Sequence, residues 1–307
     1  MQNAAHSAID RTVVHLGKHD PRARTGGVEA FARNLELVFR EVLFMTPSSA
    51  DFARVRRERL PLICDNQYLR DVPRELPAIG FQHGVAADKM LVTKRLGDAR
   101  MAFAQLRVAS RPNTVWVACA EWISRRFAAL YGNGASHVIH HLVDLERFDG
   151  RLDNAGSRLV LHDARSVAKG KSAVDALAAA LPEYRFEPLA CAPSEVPERM
   201  RKARAFVHLS RYEGNSIVCN EAMASNLPCL FTRVGLLRDE RGPSDVVVIE
   251  PALARGDRAR LAAVAREFLA SIETRSYEPR AWVVQNASVP VACERWARAL
   301  RDLDRLW

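Results

Sequence analysis

SRYEGNSIVCNEAMASNLP, residues 210–228, follows the apolar run 205–209 and decides how the second half of the chain is read. An apolar run, a turn holding Gly214 and a short series of helix formers predict a strand, a turn and a helix. Asn215 or Ser216 is placed to cap that helix, and Asn226 to stop it in the left-handed conformation ahead of Pro228. The backbone N–H groups of Asn215, Ser216 and Ile217 would then point out of the helix start, where an anion is stabilised. Glu213 lies in the turn and Glu221 eight positions later on the helix. A helix end that holds an anion, flanked by two carboxylates able to accept from hydroxyl groups, suits a sugar attached to a diphosphate.

Outward from this stretch, apolar runs recur on both sides. In the first half they are 12–16, 41–45, 60–65, 77–82, 114–119 and 137–143, alternating with helical stretches at 28–39 and 122–131. The second half adds strands at 158–162, 185–190, 205–209, 228–232 and 246–250, with helices at 172–180 and 194–202. Such alternation predicts an α/β fold of parallel, doubly wound sheets. The polar, glycine-containing stretch 146–157 reads as a linker, dividing the chain into an N-terminal domain, 1–150, and a C-terminal domain, 151–290. Residues 257–271 and 291–307 carry apolar side chains at helical spacing, and the second of these helices is free to pack back on the N-terminal domain.

The chain has 307 residues, 48% hydrophobic and 26% charged, enough for ordinary cores in one or two domains. No apolar run approaches the length of a spanning helix, and the first residues, MQNAAHSAIDR, lack the apolar centre of a secretory signal. Cysteines 64, 119, 191, 219, 229 and 293 are dispersed without a Cys-x-x-Cys pair, which predicts reduced thiols in a cytoplasmic protein. The net charge of +9 is spread evenly and accompanies no nucleic-acid-binding motif, so nucleic acid is not an expected partner. An anionic donor fits the charge, as does peripheral contact with an anionic membrane surface. Arg54, Arg56, Arg57 and Arg59, with Lys94, Arg95 and Arg100, could supply that contact; a solvated basic face is the plainer reading. His137, His140 and His141 imitate a metal cluster, but on a strand His140 and His141 would face opposite ways. Asp302 and Asp304 fall in an amphipathic helix, and neither a metal nor a resident cofactor is expected.

Several features, taken in order, resemble the retaining glycosyltransferases of GT-B fold, most nearly glycosyltransferase family 4. Glu213 and Glu221 resemble its Glu-x7-Glu signature, and Gly26-Gly27-Val28-Glu29 its glycine loop after the first strand. His83-Gly84 resembles the His-Gly step after a mid-domain strand; CAEWIS at 119–124 and VDLERF at 143–148 resemble later steps. Arg165 with Lys169-Gly170 resembles the phosphate-binding Arg and Lys-Gly of the second domain. The likeness runs over roughly residues 12–240. Three departures stand out: Arg165 and Lys169 are one residue closer than usual, Leu142 replaces a glycine, and a single strand-like run precedes the 205–209 strand where two are usual. The chain reads as a compact, shortened variant.

The resemblance implies two facing Rossmann-like domains, the first holding an acceptor and the second a nucleotide-diphosphate sugar. It implies metal-independent, retaining transfer to a glycan, a lipid-linked or glycolipid acceptor, or a small molecule, as in polysaccharide biosynthesis at the inner membrane face. Glu213 would then bind a hydroxyl of the donor sugar and Glu221 the ribose, while Arg165, Lys169 and the N–H groups of Asn215, Ser216 and Ile217 hold the diphosphate. Gly26 and Gly27 would let the backbone approach the donor, and His83 would contact the sugar at the reacting centre. Two other readings stay open: a GT-B nucleotide-sugar epimerase or phosphorylase-like enzyme, and a non-catalytic nucleotide-sugar or glycan-binding protein.

Overall fold

Runs such as LICD, AIGFQ, LVLH, AFVH and CLFT have almost no polar face to turn to water, so they form strands covered on both sides. A computed structural model describes residues 8–23 and 26–307 and divides into two units. The first runs to Leu142 and takes in Ala287–Trp307; the second is Val143–Asn286.

The first unit contains β1 (Ile9–Leu16), α1 (Gly27–Asn34), β2 (Phe39–Met45), α2 (Phe52–Glu58), β3 (Leu62–Asp65) and β4 (Ala78–Gln82). It continues with α3 (Ala86–Thr93), α4 (Leu96–Ala109), β5 (Thr114–Ala118), α5 (Glu121–Tyr131) and β6 (His137–Val138). Among the described residues its strands pair in the order β2-β1-β3-β4-β5-β6, all parallel.

The second unit contains β7 (Leu159–His162), α6 (Lys171–Ala180), β8 (Arg185–Pro188), α7 (Val196–Arg201), β9 (Ala205–His208) and α8 (Ile217–Ala224). After these come β10 (Cys229–Thr232), β11 (Val247–Ile249), α9 (Pro251–Gly256), α10 (Arg258–Ser271) and α11 (Arg280–Asn286). Its parallel order is β11-β10-β9-β7-β8. In both sheets the strand that comes first in sequence lies between the second and third. Winding therefore reverses beside it, and a crevice opens at the carboxyl ends of β1 and β3, and again of β7 and β9. The α/β class, with two doubly wound parallel sheets, is as the sequence predicts.

The last helix, α12 (Val289–Asp304), belongs to the first unit. Its Trp296, 1% exposed, stacks on Phe81 of β4 at 5.8 Å and meets the edge of Phe39 at 5.7 Å.

Three local expectations change. The 28–39 helix ends at Asn34, and a tight 3-10 turn over Leu35–Leu37 leads directly into β2. The 137–143 strand stops at Val138, because that residue already pairs with Ala118, the last of β5. His140 and His141 therefore lie beyond any ladder, and strand alternation does not govern them. The polar stretch 146–157 is not a free linker. Phe148 is buried, Arg147 donates to the Pro193 carbonyl (2.9 Å), and Ser157 donates to that of Lys202 (2.8 Å). Arg280 clamps the segment by donating to the carbonyls of Phe148, Ala224 and Leu145.

Arg280→Met would keep the aliphatic stem and leave those carbonyls unmatched. We expect the second unit to lose about 2–3 kcal/mol, measured by urea unfolding, with faster proteolysis between residues 146 and 157. An unchanged midpoint would show that the clamp contributes nothing.

Candidate active site

The crevice of the second unit is assembled by three loops locked to one another. Gly170, at φ +82°, brings the β7–α6 loop so close to the Leu209 carbonyl that a Cβ there would collide with it. The Arg211 amide and the Ser210 hydroxyl both donate to the Ala168 carbonyl, at 2.9 and 3.2 Å. Thr232, ending β10, donates its hydroxyl to the Ser210 carbonyl at 2.6 Å. Gly235, also in the left-handed region at φ +60°, lies against Glu213 and Gly214.

Glu213 is held at the centre. Its Oε1 accepts from Lys169 Nζ at 2.7 Å and from His208 Nε2 at 3.0 Å. Lys169 also reaches Asp163 Oδ2 at 3.3 Å, and the other oxygen of Asp163 takes the Nε of exposed Arg165 at 2.7 Å. Burial alone would raise the Glu213 carboxyl, but the His208 hydrogen bond and the Lys169 charge outweigh it and hold the group at about 2. Burial works against the His208 imidazolium too, yet Cys219 and Glu213 lift that ring to about 10. Lys169 is likewise raised, against its burial, by Glu213 and Asp163. The cluster therefore gathers Lys169, Arg165 and the raised His208 ring around Glu213 and Asp163.

Beside it starts α8. Ser216, its cap residue, makes no side-chain capping bond, and the N–H groups of Ser216 and Ile217 have no acceptor among the described residues. Asn215 turns inward: it is buried, and its Oδ1 accepts from Asn220 Nδ2 at 3.0 Å. Asn226 stops the helix at φ +58°. Glu221 is partly buried on the second turn. This arrangement can bind an anion at the helix start and stabilise charge that develops on it.

In the first unit, the ends of β1, β3 and β4 bring together His15, Asp65 and His83. Asp65 Oδ1 accepts from His15 Nε2 (3.0 Å) and His83 Nε2 (2.8 Å), and His83 Nδ1 lies 3.4 Å from His141 Nε2. Burial opposes ionisation of Asp65, but the two histidines keep its carboxyl well below the usual range. Burial, with His83 and His140 nearby, holds His141 far below the ordinary imidazole value. His140 itself is pushed down to about 4 by burial and places its Nδ1 3.0 Å from the Cys119 carbonyl oxygen.

His83 thus follows β4, where the sequence put it, but both its ring nitrogens face protein partners and neither is aimed outward. At α1, a carboxylate oxygen of Glu29 occupies the space that a Gly26 Cβ would need. The space around Gly27 is open to 4 Å. No group of three or more His, Cys, Asp or Glu side chains among the described residues could hold a metal ion.

The structure therefore joins Arg165, Lys169 and Glu213 in one cluster and places it beside the α8 start at 215–217, with Glu221 on the same helix. Sequence reasoning missed Asp163 and His208 here, and His15 and Asp65 in the first unit. A signal was present, since each lies at or next to the carboxyl end of an apolar run: VVH, LICD, LVLHD and AFVH.

Comparison with known proteins fits this geometry. Residues 186–260, which include Glu213 and Glu221 but not Arg165 or Lys169, match the family described as glycosyl transferases group 1. No curated protein matches the chain in sequence. Among solved structures, the sucrose-phosphate synthase of Thermosynechococcus elongatus is similar with a TM-score of 0.76 at 14% identity, over 97% of this chain and 100% of that one. HepE of Anabaena, solved with UDP, gives 0.67 at 15% identity over 95% and 100%. AviGT4, a glycosyltransferase involved in avilamycin A biosynthesis, gives 0.59 at 17% identity over 95% and 98%. The two-sheet architecture is that of GT-B glycosyltransferase structures.

Proposed function

We propose that the chain is a glycosyltransferase that moves a sugar from a nucleotide-diphosphate sugar to a glycan, a lipid-linked acceptor or a small molecule, with retention and without a metal ion. The observation that carries this reading is Glu213 fixed between Lys169 and His208 beside an open helix start. The group 1 match over the same residues supports it, as does the similar fold of HepE, solved with UDP and with UDP-glucose.

In this reading the diphosphate lies against the N–H groups of Ser216 and Ile217, with Lys169 and Arg165 as its cationic partners. Asp163 and Glu213 hold these cations in position, so charge building up on the leaving phosphate meets groups already in place. Such preorganised stabilisation is commonly the largest catalytic contribution. Glu213 binds a hydroxyl of the sugar and Glu221 the ribose. The departing phosphate takes the proton of the acceptor, so the reaction asks no side chain to serve as nucleophile and gives His83 no proton to carry.

Glu213→Gln is expected to lower turnover about 10²-fold or more while changing donor affinity little, since a contact that tightens in the transition state acts on turnover. The assay is sugar release and transfer over UDP-, GDP- and ADP-sugars with EDTA present. Full activity of the folded variant would remove Glu213 from the site, and loss of wild-type activity in EDTA with rescue by Mg²⁺ would overturn metal independence. Donor converted to an epimer without any acceptor would favour the epimerase, and binding without turnover the non-catalytic protein.

Lys169→Ala and Arg165→Ala should weaken binding of a nucleoside diphosphate by about one to two decades and leave the free nucleoside almost unaffected. Calorimetry with both ligands checks this. If neither variant separates the two ligands, the phosphates bind elsewhere.

The raised His208 makes stability depend on pH in a stated direction. Its folded value of about 10 lies above the ordinary 6.5, so the stabilisation is complete below 6.5 and is lost as pH rises towards 10. Thermal midpoints of the wild type should fall across that window, and those of His208→Phe should be lower at pH 7 but flatter. Parallel curves would assign the slope to other groups.

A further inference from the structure

A second opening in the first unit is made by residues that belong to neither crevice cluster, and its lining is basic. A groove of about 810 Å³ runs between α4 and the segment 69–74, lined by Arg70, Arg74, Arg100 and Arg107, with Phe103 on its wall. Its floor is fixed by Arg111, which is buried and donates to the carbonyls of Pro73 (2.6 Å) and Leu76 (2.8 Å). Arg74, Arg100 and Arg107 have no ion-pair partner among the described residues. In the 54–59 run, the sequence's first candidate for a membrane face, three of the four arginines are instead engaged in ion pairs. Arg54 and Arg57 pair with Glu58, and Arg56 pairs with Glu75 at 2.5 Å.

Beside these free arginines, large apolar side chains stand in solvent. Leu96, Arg100, Phe103 and Arg107 follow one another at helical spacing and share the outer face of α4. Leu96 is 70% exposed, Phe103 62%, Leu106 51%, and Leu91 on α3 67%. Elsewhere among the described residues only Val167 is as exposed for a large apolar side chain. The inner face of α4 is already occupied by buried Ala104, Gln105, Val108 and Ala109, so the outer stripe is not spare core.

We propose that this face docks the protein on an anionic bilayer. Leu91, Leu96 and Phe103 enter the boundary between headgroups and acyl chains, and Arg74, Arg100 and Arg107 take lipid phosphates in the groove. Charge complementarity and residue spacing together select a bilayer as the occupant. An isolated apolar stripe would suit a second protein, but such a partner would have to bring a carboxylate for each unpaired arginine buried in the contact. Here unneutralised arginines alternate with leucine and phenylalanine along one helix face. A bilayer surface supplies phosphate and hydrocarbon side by side, and long cationic side chains can reach headgroups while their stems lie on apolar surface. The assignment is independent of the donor site and stands whether or not the chain transfers sugar.

The test is sedimentation of the full-length chain with vesicles of phosphatidylglycerol and phosphatidylcholine, against vesicles of phosphatidylcholine alone, at low and high salt. The wild type should bind the anionic vesicles at low salt, and salt should release it. Arg100→Glu/Arg107→Glu and, separately, Leu96→Ser/Phe103→Ser should each weaken that binding about tenfold or more. The substituted residues are exposed, and an unchanged thermal midpoint confirms that the fold is kept. Arg56→Glu/Arg57→Glu, on the ion-paired run, should weaken binding much less. Equal binding to both lipids, no binding to either, or outer-face variants that bind like the wild type would each overturn the proposal.

Discussion

A buried carboxylate shared by an ammonium and an imidazolium is the interaction on which the candidate site depends. Burial disfavours the charged forms of all three, and Lys169 and His208 hold Glu213 ionised while Glu213, with Asp163 and Cys219, favours the two cations. The three side chains come from different segments, so the ion cluster also fixes the relative placement of the β7–α6 loop, β9 and the β9–α8 turn. Gly170 and Gly235 permit the close approach, and the hydrogen bonds from Arg211, Ser210 and Thr232 hold it. Geometry and charge state at the crevice are therefore one property. Altering either changes both.

The first unit uses a related device. Asp65, at the end of β3, gathers His15 and His83 as Glu213 gathers Lys169 and His208. In each sheet the carboxylate stands at the carboxyl ends of strands, where the reversal of winding leaves room. The difference is in charge. The second cluster contains Lys169 and Arg165, whereas the first sets only imidazoles around its carboxylate, and burial favours the neutral form of His141. The second is suited to an anion, and the first to orienting rings against one another and against Phe31, whose ring meets His83 at 4.8 Å and His141 at 5.2 Å.

Much of this was legible from residue order, because the features concerned are local. LVLH and AFVH are apolar on both faces and could only be covered strands, and Asn226 ahead of Leu-Pro could be read as a left-handed stop. Glu213, Lys169 and Arg165 could be named, but not the bonds among them, since Lys169 and Glu213 lie 44 residues apart and meet only once β7 and β9 are neighbours. Asp163 went unread because a carboxylate beside two phosphate-binding cations looks like an obstacle until it is seen to position them. The stretch 146–157 misled for a different reason. Its polarity is real, but its polar groups and Phe148 are spent on the second unit's own surface. His140 and His141 were misjudged because the partner strand ends at Ala118, a fact belonging to the neighbour's length.

The placement of Trp296 bears on the order in which the chain can mature during synthesis. The face of the first sheet that carries Phe39 and Phe81 waits for a side chain synthesised only after the whole of the second unit. The residues of the second unit, by contrast, are contiguous and have all left the ribosome before α12 does. The amino-terminal half must therefore remain an incomplete, partly uncovered sheet while the later half is already free to close. A nascent chain released short of residue 296 would carry an exposed aromatic face, the kind of surface that quality-control machinery recognises.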